Sequence, residues 1–331
     1  MTTPVQRETQ GPRDRRQWAV IGPVDSLVRL MFAALLGLAL VALSGIGHRG
    51  FDILAQFTAP ALVVTAVLTA LVATTRLKTA ALHGLVACVA LMIAVTPQWF
   101  PDGPRPEPGG RALRLYSANL YYLNDDIAAI RDSIVEADAD IVVLIELGQD
   151  AAGRADALLE GYPYRVASMR LDQTRGPSRS VIGSRYPLSA LPDPPDGLHS
   201  VAAVARTPLG RLNVVGVHLT RPWPFQEQWG QISQTMALQA VVEDLSGPVV
   251  VAGDFNSVSS ARIGEQVRRD IGLHPAPALA GTWPANLPAP LGLTIDQVYA
   301  SPDLAFAGRR LGRPTGSDHR PVVTRITRAA D

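Results

Sequence analysis

The chain has 331 residues, 47% of them hydrophobic, and a formal net charge of +1 at pH 7. Apolar residues are concentrated before residue 97, whereas residues 101–331 have the composition of a water-soluble domain. That second part holds 22 Arg and no Lys against 25 Asp and Glu, a balance of −3, which disfavours tight non-specific binding to long nucleic acids. Cys88 is the only cysteine, so an intrachain disulfide and a multi-cysteine zinc site are excluded.

Three apolar segments in the first hundred residues have about the length that a bilayer requires. They are Leu30–Ile46, Phe57–Thr75 and Ala80–Val95, each of roughly 16–19 residues against the ~17–25 needed to span. Short loops join them, so a buried helical bundle of a soluble protein is the less favoured alternative. A cleaved signal peptide fits poorly, because two more apolar segments follow the first one. We predict a cytoplasmic tail over residues 1–25 and three transmembrane helices within residues 26–98.

The charged residues that flank these segments predict an orientation. Four arginines lie in the tail, and Arg76 and Lys78 lie in the second loop, whereas the first loop has Arg49 and Asp52. Because positively charged loops stay in the cytoplasm, three crossings would place the remaining chain on the outer side of the cell (inner) membrane.

Beyond the membrane segments the sequence predicts a linker and one domain. Residues 99–112 are rich in Pro and Gly, which favours an extended spacer before a domain over residues 113–331. Continuous apolar runs in this domain predict buried strands at Arg114–Leu120, Asp140–Leu147, Leu212–Leu219, Pro248–Asn256 and Thr294–Ser301. Helices are predicted at Asp125–Ala137, Gln226–Leu245 and Ala261–Ile271. Sheets inside and helices outside follow, with the strand pairing left open.

Polar residues capable of chemistry stand at or beside these predicted strands. They are Asn119, Glu146, His218, Asp254, Asn256, Asp296, Asp318 and His319. Each alone has an ordinary explanation as a paired carboxylate, a turn residue or a core histidine. Burying all of them without a functional partner would cost considerable free energy. Together they combine hard oxygen ligands for Mg²⁺ or Mn²⁺ with histidines for proton transfer. This set suits the metal-dependent attack of water on a phosphate ester.

Six motifs in a fixed order carry a family resemblance. VVVAGDFNS and GSDHRPVV are the most specific, and VVLIEL, SRYPL, VVGVHLT and TIDQVYAS lie around them. From about Leu113 to Ile326 the chain resembles the endonuclease/exonuclease/phosphatase superfamily, with its DNase I-like fold, in a membrane-anchored bacterial type. The resemblance implies an α+β fold, a four-layer αββα sandwich preceded here by the three-helix transmembrane region.

The resemblance also implies residues that bind metal and phosphate. Glu146 corresponds to the principal metal ligand, and Asp318 to an acidic residue near the metal. Asn119 corresponds to an asparagine beside both metal and phosphate. His218 and Asn256 correspond to residues that contact the phosphate. The implied cofactor is Mg²⁺, with Mn²⁺ as an alternative.

The same resemblance implies the catalytic group. His319 corresponds to the catalytic histidine, provisionally the base, and Asp296 to the carboxylate that orients it. Asp254 and Asn256 correspond to the pair that positions the attacking water, and His218 joins them as a catalytic residue. The chain departs from abasic-site enzymes at Tyr121, where those enzymes carry an acidic residue, and this argues against a second metal.

The resulting prediction is a membrane-anchored, divalent-metal-dependent phosphoesterase. Its substrate class stays open among nucleic acid, a phospholipid headgroup and a small phosphoester, and no protein partner follows from the sequence. The alternative is a catalytically inactive, membrane-displayed binding or sensory module on the same fold. Three aromatic residues after the His218 strand, Trp223, Phe225 and Trp229, are expected to pack within their loop rather than to form a lip at the membrane.

Overall fold

The computed structural model of the protein describes residues 12–168, 179–222 and 228–330, with side chains from residue 22 onward. The helices in these ranges are α1 (Pro12–Leu43), α2 (Arg49–Ala55), α3 (Thr58–Ala73), α4 (Lys78–Trp99), α5 (Ile127–Ala137), α6 (Gln149–Gly153), α7 (Ala155–Leu158), α8 (Gln228–Glu243) and α9 (Arg262–Asp270). The strands are β1 (Leu113–Asn119), β2 (Ile141–Ile145), β3 (Tyr164–Ala167), β4 (Ser180–Ser184), β5 (Leu188–Ala190), β6 (His199–Thr207), β7 (Gly210–His218), β8 (Val249–Asp254), β9 (His274–Pro275), β10 (Asp296–Ala300), β11 (Leu304–Leu311) and β12 (Val322–Arg328). A one-turn 3₁₀ helix, Ala289–Leu291, lies between β9 and β10.

Helices α1, α3 and α4 pack around a small apolar core and expose apolar side chains outward. Leu91 is fully buried between them, whereas Leu30 and Leu71 are 68% and 60% exposed. Within the described residues, Gly22–Leu43 and α4 are each long and apolar enough to cross a membrane. Helices α2 and α3, bent by 55° at a short break, form a third such span if they are counted as one.

The rest of the chain forms two mixed six-stranded sheets. Their strand orders are β11-β12-β1-β2-β4-β3 and β5-β6-β7-β8-β10-β9. The pairs β1–β2 and β7–β8 are parallel, and the other neighbours are antiparallel. The strand pairing that the sequence left open is therefore mixed in both sheets.

The two sheets face each other, and helices cover their outer faces. Leu115 and Val143 of the first sheet pack against Val214 and Val250 of the second in one buried cluster. Helix α5 packs on the outer face of the first sheet, and α8 and α9 pack on the outer face of the second. The domain is thus a four-layer αββα sandwich, which confirms the predicted α+β fold class.

Local sequence explains where α5 begins and ends. Asp126 caps its N-terminus, because its side-chain Oδ1 accepts a hydrogen bond from the backbone N–H of Ala129 at 2.9 Å. The helix stops before Asp138, whose φ of +45° is left-handed. The predicted helix Asp125–Ala137 is therefore present, shortened by two residues at its N-terminus.

The helical region and the linker differ from expectation in detail. Helix α1 begins at Pro12, well before Leu30, and α4 extends beyond the predicted Ala80–Val95 at both ends. The Pro-rich segment after α4 is docked on the domain, since Pro106 forms a β-bridge with Ala329. Because that segment pairs with the chain end beyond β12, it does not act as a free spacer.

Candidate active site

The strand register brings the predicted polar residues to one end of both sheets. In the first sheet, Asn119 is the last residue of β1, and Glu146 directly follows its parallel neighbour β2. In the second sheet, His218 lies beside Asp254 and Asp254 lies beside Asp296 on adjacent strands. A hydrogen bond of 3.0 Å from Asn119 Nδ2 to Asp254 Oδ2 joins the two sheets at this end.

The carboxylate of Asp254 is the centre of this group. Its Oδ2 accepts hydrogen bonds from Asn119 and from Asn256 Nδ2 at 3.2 Å, and its Oδ1 accepts from the backbone N–H of Asn256 at 2.7 Å. The Nε2 atoms of His218 and His319 lie 3.9 and 3.8 Å from Oδ2. Burial raises the pKa of Asp254 to about 6, against the lowering effect of His319.

His319 and Asp296 form a buried pair beside this centre. The Nδ1 atom of His319 lies 2.9 Å from Oδ2 of Asp296, and the two residues are 7% and 2% exposed. Burial alone lowers the pKa of His319, but the carboxylates of Asp296 and Asp254 outweigh it and raise that pKa to about 10. His319 is therefore positively charged at neutral pH. Its backbone N–H donates to Ser317 Oγ at 3.0 Å, which fixes the loop.

Glu146 lies at the same end of the sheets as Asp254 and His319, but its carboxylate has few hydrogen-bond donors near it. It is 9% exposed and accepts no hydrogen bond from the described residues. Its Oε2 lies 3.8 Å from Nε2 of His218. Because a buried carboxylate without donors is costly unless a cation compensates it, this position fits a divalent metal ion.

A second set of groups could also approach a cation. Among the described residues, Asp254, Asp296 and His319 offer ligand atoms that all lie within 4.8 Å of one another. In this set the His319 and Asp296 side chains already bind each other, and Asp254 already accepts three hydrogen bonds. The less engaged carboxylate of Glu146 therefore fits an ion better.

Several residues at the site have left-handed backbone conformations. Tyr121, Glu146 and Asn256 have φ angles of +57°, +56° and +47°. Such conformations are unfavourable for residues other than glycine, and they concentrate at functional sites. All three residues line one cavity, so the strained backbone and the candidate chemistry coincide.

Gly253 allows β8 to approach β7 immediately before Asp254. A Cβ atom at this position would lie 2.0 Å from the backbone oxygen of Val217, and the φ angle is +145°. We expect Gly253→Ala to lower the free energy of unfolding by at least about 3 kcal/mol, measured by thermal unfolding of the full chain with circular dichroism. Gly161→Ala, with no atom within 4 Å of the added Cβ, should change it by less than about 0.5 kcal/mol. Equal melting temperatures for the two variants would contradict this role.

A cavity of about 560 Å³ opens at this end of the sandwich. Six of the eight predicted site residues line it, namely Glu146, His218, Asp254, Asn256, Asp318 and His319. Asn119 and Asp296 do not line the cavity. Asn119 is hydrogen-bonded to Asp254, and Asp296 is hydrogen-bonded to His319, so each positions a residue that does line it.

Asp318 lies at the exposed side of the cavity. Its Oδ2 accepts a hydrogen bond of 3.0 Å from the indole Nε1 of Trp283. It is therefore separate from the buried cluster of Asp254, Asp296 and His319, although it shares the cavity with Glu146.

Other cavity residues escaped the sequence reasoning. Arg221 offers a positive charge three residues after His218, and His199 pairs with His218 across β6 and β7. Because this arginine directly follows the VVGVHLT motif, the sequence could have predicted it as a site residue. Gln56 lines the cavity from the helical region, and nothing in the sequence pattern indicates this contact.

Trp229 departs from the expectation that it packs within a loop. It lies in the first turn of α8 and is 65% exposed. Trp223 and Phe225 lie outside the described residues.

The fold and the site together define a class of protein. A two-sheet αββα sandwich with carboxylates, asparagines and histidines at one end is the arrangement of DNase I-like α+β proteins. The chain belongs to the Endonuclease/Exonuclease/phosphatase family, whose model matches residues 116–319. Members of this family hydrolyse phosphoesters and typically depend on a divalent metal.

Solved structures share this fold at low sequence identity. An endonuclease/exonuclease/phosphatase from Beutenbergia cavernae has a TM-score of 0.53 and 20% identity, covering 66% of this chain and 72% of that one. A family protein from Bacteroides thetaiotaomicron has a TM-score of 0.53 and 15% identity, covering 67% and 99%. Humanized D. rerio TDP2 has a TM-score of 0.50 and 15% identity, covering 65% and 99%. No curated protein sequence is a significant match.

Proposed function

We propose that this protein is a membrane-anchored, divalent-metal-dependent hydrolase that cleaves a phosphodiester or phosphomonoester. The observation that carries this proposal is the convergence of Glu146, Asp254 and His319 on one cavity, with Asn119 and Asp296 fixing them from behind. The apolar helices support anchoring in the cell membrane, and the positive charge of the tail supports an extracytoplasmic domain.

Glu146 is the principal metal ligand in this proposal. Asp318 would be a further oxygen donor, whereas Asn119 does not line the cavity and acts through its hydrogen bond to Asp254. Mg²⁺ is the proposed ion and Mn²⁺ the alternative, because hard oxygen donors suit both. When bound, the cation would offset the negative charge that develops on the phosphate oxygens.

The side chains around the cavity divide the proton transfers between them. Asp254, ionised above about pH 6, accepts a proton from the attacking water, which Asn256 helps to position. His319 is charged and donates to a phosphate oxygen or to the leaving oxygen, while Asp296 orients it. We therefore propose Asp254 rather than His319 as the base, because a charged imidazolium has no lone pair to accept a proton. His218, which lines the cavity, binds the phosphate, and Asn119 holds Asp254 in place through the hydrogen bond between them.

Hydrolysis of bis-p-nitrophenyl phosphate by the full chain in detergent micelles tests the function. We expect turnover with Mg²⁺ that stops on chelation and returns when Mg²⁺ is restored. Glu146→Gln should raise the Mg²⁺ concentration for half-maximal rate by about 10- to 100-fold, because it removes a charged ligand. Glu160→Gln, at a side chain that is 76% exposed, should leave that concentration unchanged.

The outcomes separate the enzyme from the inactive module. No turnover of bis-p-nitrophenyl phosphate, p-nitrophenyl phosphate, DNA or phospholipid would favour the membrane-displayed binding or sensory module. Turnover with an unchanged metal requirement in Glu146→Gln would instead overturn the assignment of Glu146 as the principal ligand.

A further inference from the structure

The helical region supplies part of the cavity wall. Gln56 and Phe57, here called the elbow, connect α2 to α3 at the 55° bend. Gln56 lines the cavity together with Glu146 and His319 and is 5% exposed. Its side-chain amide makes no hydrogen bond to a described residue, so it has both donors and an acceptor to offer to a ligand.

Polar contacts hold the elbow against the domain. The Asp52 carboxylate on α2 is 9% exposed and accepts a hydrogen bond from Gln228 Nε2 at 2.6 Å. The Arg262 guanidinium lies 3.3 Å from the same carboxylate oxygen. Because Asp52 is buried, loss of Arg262 would leave its charge unpaired and loss of Gln228 would remove a hydrogen bond to it. Both contacts therefore fix the position of α2.

Apolar packing fixes the same position from the other side. Ala55, directly before the elbow, is buried in a cluster with Val258, Ala261, Leu293 and Ile295 of the domain. Phe57 packs against this cluster as well. Gln56 therefore lies between a polar and an apolar attachment, with its side chain held at the cavity.

The cavity also lies at the end of the helices from which the domain emerges. Ala42, near the C-terminus of α1, packs on the apolar cluster, and α3 begins directly after the elbow. Near the C-terminus of α4, Gln98 Nε2 donates to Ala278 O at 3.2 Å, and Ala278 N donates to Gln98 O at 3.0 Å. The C-terminal ends of α1 and α4 and the N-terminal end of α3 thus all adjoin the domain, and Gln56, two residues before α3, lines the cavity.

Exposed apolar side chains of the domain stand next to residues or elements that contact these helices. Trp229 follows Gln228 and is 65% exposed, and Leu279 follows Ala278 and is 57% exposed. Leu287, 41% exposed, precedes the 3₁₀ helix that contacts α3. Aromatic and aliphatic side chains at the foot of membrane helices are typical of contact with the bilayer interface.

From these contacts we infer that the elbow is part of the substrate site and that Gln56 binds the polar headgroup of a phospholipid presented from the bilayer. This inference rests on the proposed function and names its substrate class. Water adds to the phosphorus and the bond from phosphorus to one alcohol oxygen breaks, so a phosphodiester lipid gives a phosphomonoester and an alcohol that takes up a proton. Arg221 at the cavity attracts the anionic phosphate.

The test uses the full chain with four substrates. These are vesicles of phosphatidylglycerol and phosphatidylcholine, the monomeric dihexanoyl forms of the same lipids, bis-p-nitrophenyl phosphate, and a DNA oligonucleotide. We expect kcat/KM for vesicle lipid to exceed that for monomeric lipid by at least about 10-fold, because the bilayer delivers the headgroup to the cavity. DNA hydrolysis should be slower than lipid hydrolysis.

Two glutamine variants separate a substrate contact from a structural role. Gln56→Ala should raise KM for both lipid forms by about 10-fold or more while kcat changes by less than about 3-fold, because it removes hydrogen bonds to a charged headgroup. Gln98→Ala is the matched control, since Gln98 also joins helices to domain, is 1% exposed and does not line the cavity. It should leave KM within about 2-fold.

Each contrary result has a distinct meaning. Equal effects of the two variants, or no effect of Gln56→Ala on lipid, would overturn the role of the elbow. Hydrolysis of bis-p-nitrophenyl phosphate without lipid hydrolysis, or faster hydrolysis of DNA than of lipid, would overturn the lipid substrate and leave the hydrolase intact. Faster hydrolysis of monomeric than of vesicle lipid would overturn presentation of the headgroup from the bilayer. Hydrolysis of none of the four, nor of the monoester p-nitrophenyl phosphate, would overturn the proposed function itself.

Discussion

Asp254→Asn is expected to lower kcat/KM for bis-p-nitrophenyl phosphate by about 10³-fold. The substitution keeps the shape of the side chain but removes the group that takes the water proton. It also removes the negative charge that Asn119 and Asn256 contact through hydrogen bonds at 3.0 and 3.2 Å. Rates of wild type and variant at saturating Mg²⁺ and pH 8, where the wild-type carboxyl is ionised, measure the effect.

The control for this variant is Asp303→Asn. Asp303 is an exposed aspartate directly before β11, so its loss should alter kcat/KM by less than about 2-fold. Thermal unfolding of Asp254→Asn should also be followed, because the new amide places a donor near the Asn119 amide. A folded variant that keeps wild-type activity would remove Asp254 from the chemistry.

Asp296→Asn is expected to shift the pH dependence of the reaction as well as its rate. In the wild type, activity should rise as Asp254 ionises through about pH 6 and fall as His319 loses its proton near pH 10. Without the Asp296 carboxylate, burial of His319 disfavours its charged form. The alkaline limb should therefore move to lower pH, and kcat at pH 8 should fall about 10²-fold.

A complete pH–rate profile distinguishes this positioning role from a structural one. A purely structural loss would lower the rate at every pH and leave both limbs in place. A shift of the acidic limb alone would assign the charge effect to Asp254 rather than to His319. Asp303→Asn again serves as the reference, with both limbs unchanged.

The fold was largely accessible from the sequence because its strands are continuous apolar runs. Strand β8 and its flanking motif show why, since PVVVAGDFN combines a buried run with a sharp polar end. The pairing of strands was not accessible, because contacts between distant segments leave no local pattern. The start of α1 was also missed, as Pro12 precedes any apolar periodicity.

The candidate site was likewise only partly predictable from the sequence. Residues at strand ends, such as Glu146 and Asp254, were predictable since polar groups there have a recognisable local context. The SRYPL motif was less informative, because Ser184 pairs with Ile141 at the opposite end of β2 from Glu146. Gln56 could not be predicted as a cavity residue, because its position depends on packing between α2 and a loop far along the chain.

The apolar cluster around Ala55 makes the helices and the domain one cooperative structure. Val258, Leu293 and Ile295 bury their surface partly against the helical region, so the domain completes its own interior with residues from these helices. A chain cut before β1 would carry an open hydrophobic face beside its cavity. The helical region and the domain therefore cannot diverge independently: a substitution in either one must preserve a shared interior, as it would between two layers of a single sandwich.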